Sequence, residues 1–337
     1  MPPMNPVPRP LRLTSTGLVV EGTALAPQAL GFTDTVLRGI GQVMFQNNSY
    51  TGLLFLSGIF YNSTLFGAAV LVGTATSTAT ALLLGADRSR LRAGLFGFNG
   101  ALVAIALLYF LRPDALAWAY VILAAAGSTV LMAALLNLLD TWKMPVLTAP
   151  FVLTTLCFVL ACARFGRLHT TQVLPTAGLP QAASVEGIVT VSTIVQGLFS
   201  GVAQVFFQGN VITGVIFTAG LLIASRRACA AALLGSLIGL LVAWGMGAAE
   251  PAIRAGAFGF NPALTAIALG SVFFAINTAS VAYTALAAIT TTVVFAAVSA
   301  ALEPLGMPAL TAPFVLVVWG FLFASPIFPR LRPAAAA

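Results

Sequence analysis

Charged residues are scarce in this sequence. Its 337 residues include 15 basic and 8 acidic side chains, or 7%, whereas soluble proteins carry roughly a quarter. Three long stretches, 39–86, 187–225 and 255–302, contain no Asp, Glu, Lys or Arg, and each exceeds the roughly 20 residues that one membrane-spanning helix needs. With 59% hydrophobic residues and a mean hydropathy of +1.02, the chain is predicted to be a polytopic integral membrane protein.

The alternation of polar and apolar residues that a membrane-spanning barrel requires is also missing. Helices are then the remaining way to satisfy the hydrogen bonds of a backbone surrounded by lipid. The predicted fold class is therefore all-α.

Histidine and cysteine are rare as well. The one histidine, His169, makes neither a metal site nor a proton relay by itself. Cys157, Cys162 and Cys229 lie in apolar runs and form no disulfide framework. No Ser-His pair, paired Asp or metal-ligand set lies within the apolar segments, so we expect neither an enzyme nor a cofactor. The net charge of +7 is scattered at segment ends and does not indicate a nucleic-acid partner.

The sequence is instead rich in internal duplication. Residues 92–107 return at 254–269 with 13 of 16 positions identical, and MPVLTAPFVL at 144–153 returns as MPALTAPFVL at 307–316. A third pair, QVMFQNNSYTG from Gln42 and QVFFQGNVITG from Gln204, extends the repeat toward the start of the chain. Duplicated membrane halves usually place their binding site between them.

Each half is predicted to contain one amphipathic segment followed by five apolar segments. In the first half these are 33–46, 48–61, 65–86, 93–111, 115–139 and 145–163. In the second half they are 187–208, 210–224, 228–248, 255–276, 278–302 and 308–328. The predicted organisation is an N-terminal cytoplasmic tail at 1–32, a first transmembrane repeat at 33–163, a connector at 164–186, a second repeat at 187–328 and a C-terminal tail at 329–337.

If the amphipathic segment enters the membrane without crossing it, each half crosses five times, and the two halves have opposite orientations. The proline-rich start lacks an apolar signal region, which predicts no cleaved signal peptide and a cytoplasmic N-terminus. Eleven basic residues then lie inside and four outside, as the positive-inside rule favours. We therefore predict ten spanning helices and two re-entrant half-helices in the plasma (inner) membrane, with both termini cytoplasmic. The outside set is Arg112, Arg164, Arg167 and Arg254.

The uncharged spans indicate the kind of solute. Proton relays, ion-coupled carriers and ion channels usually place ionisable groups or dedicated ligands inside the membrane. A neutral polar molecule moving passively down its gradient needs none. An ion-coupled carrier or a channel built from backbone carbonyls remains the alternative.

Two proline-threonine motifs are candidates for the centre of a passage. Pro150 and Pro313 are predicted to lie inside their helices. Since proline has no N–H group, each would leave the carbonyl four residues earlier, that of Val146 or Ala309, without its hydrogen-bond donor. With the hydroxyls of Thr148 and Thr311, the motifs are predicted to offer hydrogen-bond acceptors near mid-membrane.

The Gln-x-x-Phe and Gly-Phe-Asn pairs are candidates for its mouths. A spacing of three residues puts Gln42 with Phe45, and Gln204 with Phe207, on one face of each helix. Two facing rings leave a slot that only a flat molecule enters. Urea is flat and rich in hydrogen-bond donors, and thiourea, formamide and short-chain amides share these properties.

Together, the paired Leu-Thr-Ala-Pro-Phe, Gly-Phe-Asn and Gln-x-x-Phe motifs resemble those of the urea transporter family, across essentially residues 33–328. The resemblance implies channel-like transport of urea without a cofactor, in a homotrimer with one pore per subunit. It also implies a set of substrate-binding or pore residues. These are Gln42, Phe45, Leu102, Thr148, Gln204, Phe207, Leu264 and Thr311, with Val43, Phe98, Val205 and Phe260 as secondary candidates. Some bacterial members of the family carry Glu where Gln204 stands.

Overall fold

The computed structural model describes residues 11–20, 25–171, 173–180 and 184–334. Parts of both predicted tails and of the predicted connector lie outside these ranges. The fold is mostly helical, as predicted. Its first half contains α1 (Leu25–Gln42), α2 (Ser49–Asn62), α3 (Thr64–Leu83), α4 (Arg88–Arg92), α5 (Gly97–Phe110), α6 (Ala115–Asp140) and α7 (Ala149–Cys162).

The second half contains the same series of helices. These are α8 (Val191–Ala203), α9 (Val211–Ala224), α10 (Arg226–Gly245), α11 (Glu250–Arg254), α12 (Phe260–Ile267), α13 (Thr278–Leu302) and α14 (Ala312–Ala324). Helix α8 continues as a 3-10 turn over Gln204–Phe206, and α12 continues as a π-helical segment over Ala268–Phe273. The helix caps repeat too, because Asn48 and Asn210 accept backbone N–H bonds at the starts of α2 and α9.

Within the described ranges, four helices are long and apolar enough to span a membrane alone, namely α3, α6, α10 and α13. Helix α8, together with its 3-10 extension, forms a pair with α9 that is bent by 74°. Helices α5, α7, α12 with its π segment, and α14 are apolar but shorter. A helix of about 14 residues covers roughly 21 Å, less than the roughly 30 Å hydrocarbon layer. The ten predicted spans therefore do not all appear as long helices in the described ranges. Each of the shorter helices follows a stretch of non-helical chain.

The two halves meet along α2 and α9. Thr51 donates its hydroxyl hydrogen to the carbonyl of Gly220 at 2.8 Å, and Thr213 donates to that of Gly58 at 3.1 Å. The rings of Phe55 and Phe217 lie 4.9 Å apart between these bonds. Each bond joins the early part of one helix to the late part of the other, so α2 and α9 run antiparallel. The two halves thus contact each other through equivalent residues.

An N-terminal β-hairpin, β1 (Leu11–Thr14) with β2 (Gly17–Val20), is the described exception to the helical fold. The backbone N–H of Leu18 donates to Asp34 Oδ1 at 2.8 Å, and Arg38 Nε donates to Asp34 Oδ2 at 2.6 Å. Arg38 also donates to Asn47 Oδ1 at 2.8 Å. Both charged residues are 8% exposed. Arg38 is one of the eleven basic residues predicted to lie inside, and nothing in the sequence indicates that it forms an ion pair buried under a hairpin.

This ion pair is expected to contribute to stability. Asp34→Ala leaves Arg38 buried without its partner and should lower the free energy of unfolding by about 3 kcal/mol, measured as a fall in the thermal midpoint in detergent. Asp140→Ala is the matched control, because the Asp140–Lys143 pair is exposed and its nearest charged atoms lie 3.7 Å apart. Equal effects of the two substitutions would contradict a structural role for the buried pair.

Candidate solute passage

Thr148 and Thr311 lie against each other where the two halves meet. Their Oγ1 atoms are 2.6 Å apart and hydrogen-bonded, and the residues are 3% and 2% exposed. Each is the N-cap residue of its helix, α7 or α14. The sequence assigned both residues to one site, and the structure brings them together.

The start of α7 and α14 differs from the sequence expectation. The helices were predicted from 145 and 308 but begin at Ala149 and Ala312, so that Pro150 and Pro313 occupy the first turn, where a missing N–H costs nothing. The prolines therefore do not leave the carbonyls of Val146 and Ala309 without hydrogen-bond partners. Those oxygens accept turn hydrogen bonds, Val146 O from Ala149 N at 3.4 Å and Ala309 O from Ala312 N at 3.2 Å.

The chain before each helix is held in an uncommon conformation. Leu147 and Leu310 have φ values of +54° and +51°, a region that bulky residues rarely adopt. Nothing in the composition of the motif signals this conformation, although it occurs at the equivalent position of both halves. Such residues cost about 1–3 kcal/mol and persist where the surroundings fix them, often at functional sites.

The asparagines of the Gly-Phe-Asn motifs fix these surroundings. Asn99 Oδ1 accepts from the N–H of Phe151 at 3.0 Å, and Asn261 Oδ1 accepts from that of Phe314 at 3.2 Å. Asn261 also donates from Nδ2 to Leu310 O at 3.1 Å. Each asparagine thus joins the start of α5 or α12 to the start of α7 or α14. The repeated motif marks both asparagines in the sequence, but nothing in it indicates this role.

Phe45 and Phe207 lie at the ends of the Gln-x-x-Phe segments with φ values of +62° and +59°. The ring of Phe45 contacts those of Phe314 and Phe273 at centroid distances of 6.1 and 6.3 Å. The ring of Phe207 contacts those of Phe151 and Phe110 at 6.4 and 6.0 Å. We call these the Phe45 cluster and the Phe207 cluster. Each combines rings from both halves.

These ring pairs meet edge to face, with interplanar angles of 78–88°. Tyr109 lies closer to Phe207, at 5.3 Å, and is tilted by 44°, so none of these pairs forms two parallel walls. Phe98 and Phe260 are at the first turns of α5 and α12. Among the described ring contacts, neither touches Phe45 or Phe207, and Phe260 packs on Phe295 at 5.6 Å. A parallel slot between facing rings remains a prediction.

Gln42 and Gln204 occupy equivalent positions and make equivalent bonds. Gln42 Nε2 donates to Ala93 O at 2.9 Å, and Gln204 Nε2 donates to Ala255 O at 3.0 Å. Neither Oε1 atom accepts a hydrogen bond from any residue that the structure describes. Because the amide nitrogens are fixed, each glutamine oxygen stays available as an acceptor.

The remaining predicted residues are apolar and buried. Leu102 and Leu264 are 0% exposed, and Val43 and Val205 are 1% and 2% exposed. Two surface cavities, of about 470 and 500 Å³, lie elsewhere, and none of the predicted site residues lines them. The first cavity lies near Asp87 and Asp140, and the second lies near Arg112 and His169.

A charge-poor helical chain whose halves meet around a buried hydroxyl pair and two aromatic clusters has the features of a membrane transport protein. A protein-family model with the description "urea transporter" matches residues 33–326 of this chain. Urea transporter 1 of the sheep, Ovis aries, is 33% identical over 309 residues, covering 90% of this chain and 80% of that protein. The proteins of that name in Rattus norvegicus and Mus musculus are 31% and 33% identical with the same coverage. The chain belongs to the urea transporter family and is a transporter, not an enzyme.

The asparagine bonds lead to a test of how the site is held. Asn261→Ala leaves the Phe314 N–H and the Leu310 carbonyl without partners, at about 1–3 kcal/mol for each buried group. Asn99→Ala leaves one such backbone group, since Asn99 Nδ2 points to the sulfur of Met132 at 3.6 Å. We expect Asn261→Ala to lower the thermal midpoint more than Asn99→Ala. The exposed Asn137→Ala is the control, and a reversed order would contradict the assignment.

Proposed function

We propose that this protein conducts urea passively through a passage between its two halves. The contact between Thr148 and Thr311 carries the proposal, because it places two hydroxyls inside apolar protein where the halves meet. The Phe45 and Phe207 clusters flank this contact on either side, with the amide oxygens of Gln42 and Gln204 beside them. We infer that Leu102 and Leu264, with Val43, Phe98, Val205 and Phe260, form the apolar walls.

The chemistry of these groups suits a dehydrated amide. Removing an amide-like solute from water costs roughly 2–7 kcal/mol for each unsatisfied group, depending on the reference state. Urea brings four N–H donors, and the glutamine and threonine oxygens are acceptors for them. The aromatic edges and faces contact a flat molecule while excluding its hydration shell. Since none of the twelve candidate side chains is ionisable, coupling to protons or sodium has no obvious ligand here.

At 2.6 Å the two hydroxyl oxygens leave no room for a solute between them. Passage therefore requires the threonines to separate and to exchange their mutual hydrogen bond for bonds to the solute. Such an exchange replaces one neutral hydrogen bond by others of similar strength, so its net free energy is small. A centre of this kind binds weakly, which favours rapid release.

We further infer that the halves are inverted repeats, each with five spans and one re-entrant half-helix, α1 or α8. The antiparallel contact of α2 with α9 supports this arrangement. A twofold axis that relates two antiparallel helices is perpendicular to them. If α2 and α9 both span the membrane, this axis therefore lies in the membrane plane. The distribution of basic residues supports cytoplasmic termini and an inner-membrane location. Resemblance to the family supports a homotrimer with a pore in each subunit.

Urea flux in proteoliposomes tests the passage. Thr148→Val and Thr311→Val keep the side-chain shape but remove one acceptor each, so we expect urea flux to fall about five-fold, the equivalent of about 1 kcal/mol. Thr290→Val is the control, because that exposed hydroxyl donates only to the carbonyl of Leu286. A requirement for a sodium or proton gradient, or undiminished flux in both variants, would refute the proposal.

Solute selectivity tests the aromatic clusters separately. Phe45→Ala and Phe207→Ala should admit glycerol, which is small and polar but not planar, so the ratio of urea to glycerol flux should fall several-fold. Phe165→Ala, a change to an exposed ring outside the clusters, should leave the ratio of urea to glycerol flux unchanged. Glycerol flux comparable to urea flux in the wild type would contradict a planar filter.

The pH dependence of wild-type urea flux is a separate test. Because no candidate side chain titrates, this flux should stay constant between about pH 5 and 9.

A further inference from the structure

Helices α7 and α14 differ in polarity at equivalent buried positions. Helices α7 and α14 carry equivalent sequences, Ala-Pro-Phe-Val-Leu, from 149 and 312, but then diverge. Thr154 and Thr155 follow in the first half, and Val317 and Val318 follow at the matching positions in the second. Thr155 and Val318 are both 0% exposed. The first half therefore buries a hydroxyl where the second half buries a methyl group of nearly the same shape.

The Thr155 hydroxyl lacks a hydrogen-bond partner among the described residues. Several other buried threonines donate to the carbonyl four residues earlier, among them Thr74 at 2.6 Å and Thr284 at 2.7 Å. Thr155 does not use this bond. A buried hydroxyl without a partner costs about 1–3 kcal/mol, so the Thr155 hydroxyl is free to bond a polar group that comes to it from outside the protein.

The direction of the side chain identifies the space that such a partner would occupy. At about 100° per residue, Thr155 lies on α7 about 20° from Thr148 and about 40° from Phe151, between the two. Thr148 faces Thr311 and Phe151 faces Phe207, both in the second half. Thr155 is two helical turns beyond Thr148 and one beyond Phe151, and so lies on the side of the Phe207 cluster.

Thr78, the other buried hydroxyl without a partner in the part of the chain that the structure describes, has a different environment. A Cβ placed on Gly97 would lie 3.0 Å from Thr78 Oγ1 and 2.8 Å from the methyl group of Thr74. That hydroxyl fills a close contact between α3 and α5 and carries no inference about a ligand.

We propose that the Thr155 hydroxyl binds the solute on the Phe207 side of the passage, as an acceptor for one N–H group after the solute has left water. The inference rests on the proposed function and extends it. It makes the passage asymmetric, with one more polar contact on the Phe207 side than on the Phe45 side, where Val318 stands. Dehydration of the solute is then compensated earlier on one side than on the other.

Urea flux and thermal stability of the full-length protein test this together. Thr155→Val should lower urea flux about five-fold without lowering the thermal midpoint, because the hydroxyl has no protein partner to lose. Thr155→Ser should retain most of the flux. Thr154→Val is the matched control, since that neighbouring side chain points about 100° away around the helix and should leave flux unchanged.

Three outcomes would overturn the inference. Flux of Thr155→Val equal to that of the wild type would show that the hydroxyl does not contact the solute, while the proposed function stood. A clear fall in the thermal midpoint of Thr155→Val would show a structural partner instead. Absence of urea flux in the wild-type protein would refute the proposed function, and the inference would fall with it.

Discussion

Each backbone N–H and C=O group in a membrane interior must find its hydrogen-bond partner within the protein. This constraint is most severe at 145–148 and 308–311, where non-helical chain lies between buried helices. Asn99 and Asn261 supply acceptors for the Phe151 and Phe314 N–H groups in the first turns of α7 and α14. Prolines in the same turns remove one N–H group from each helix. The two threonine hydroxyls of these segments bond to each other. The buried polar contact between the halves is thus a product of how the helices begin.

Duplication explains why the polar centre lies between the halves. The Thr51–Gly220 and Thr213–Gly58 bonds are the same contact made twice, and so are the Phe45–Phe314 and Phe207–Phe151 contacts. A pseudo-twofold arrangement gives a contact across the interface a counterpart wherever the equivalent residues match, as they do here. Each aromatic cluster therefore requires residues from both halves, so that neither half could form one alone. Differences between the halves, such as Thr155 against Val318, then stand out as departures from symmetry.

Much of the helical pattern could be predicted from the sequence, because long uncharged apolar stretches have few other structures available in lipid. Boundaries set by local geometry were harder. The helices α7 and α14 begin four residues later than predicted. A proline fits either a kink inside a helix or the first turn of one, and the sequence alone does not distinguish the two positions. The five-residue helices α4 and α11 and the hairpin carry no strong periodic signal. Repetition identified Thr148 and Thr311 as candidates, whereas their direct contact depends on tertiary packing that no local pattern encodes.

A single extra residue shows how strongly the aromatic positions are constrained. Equivalent residues are 162 apart up to Leu107 and Leu269, but 163 apart at the helix ends Leu111 and Phe274. The extra residue falls within the π-helical segment Ala268–Phe273, whose wider turn accommodates it. In a regular helix, one inserted residue would rotate everything after it by about 100°. Here Phe273 still contacts Phe45 as Phe110 contacts Phe207, so the ring position is retained while the regular helix is not.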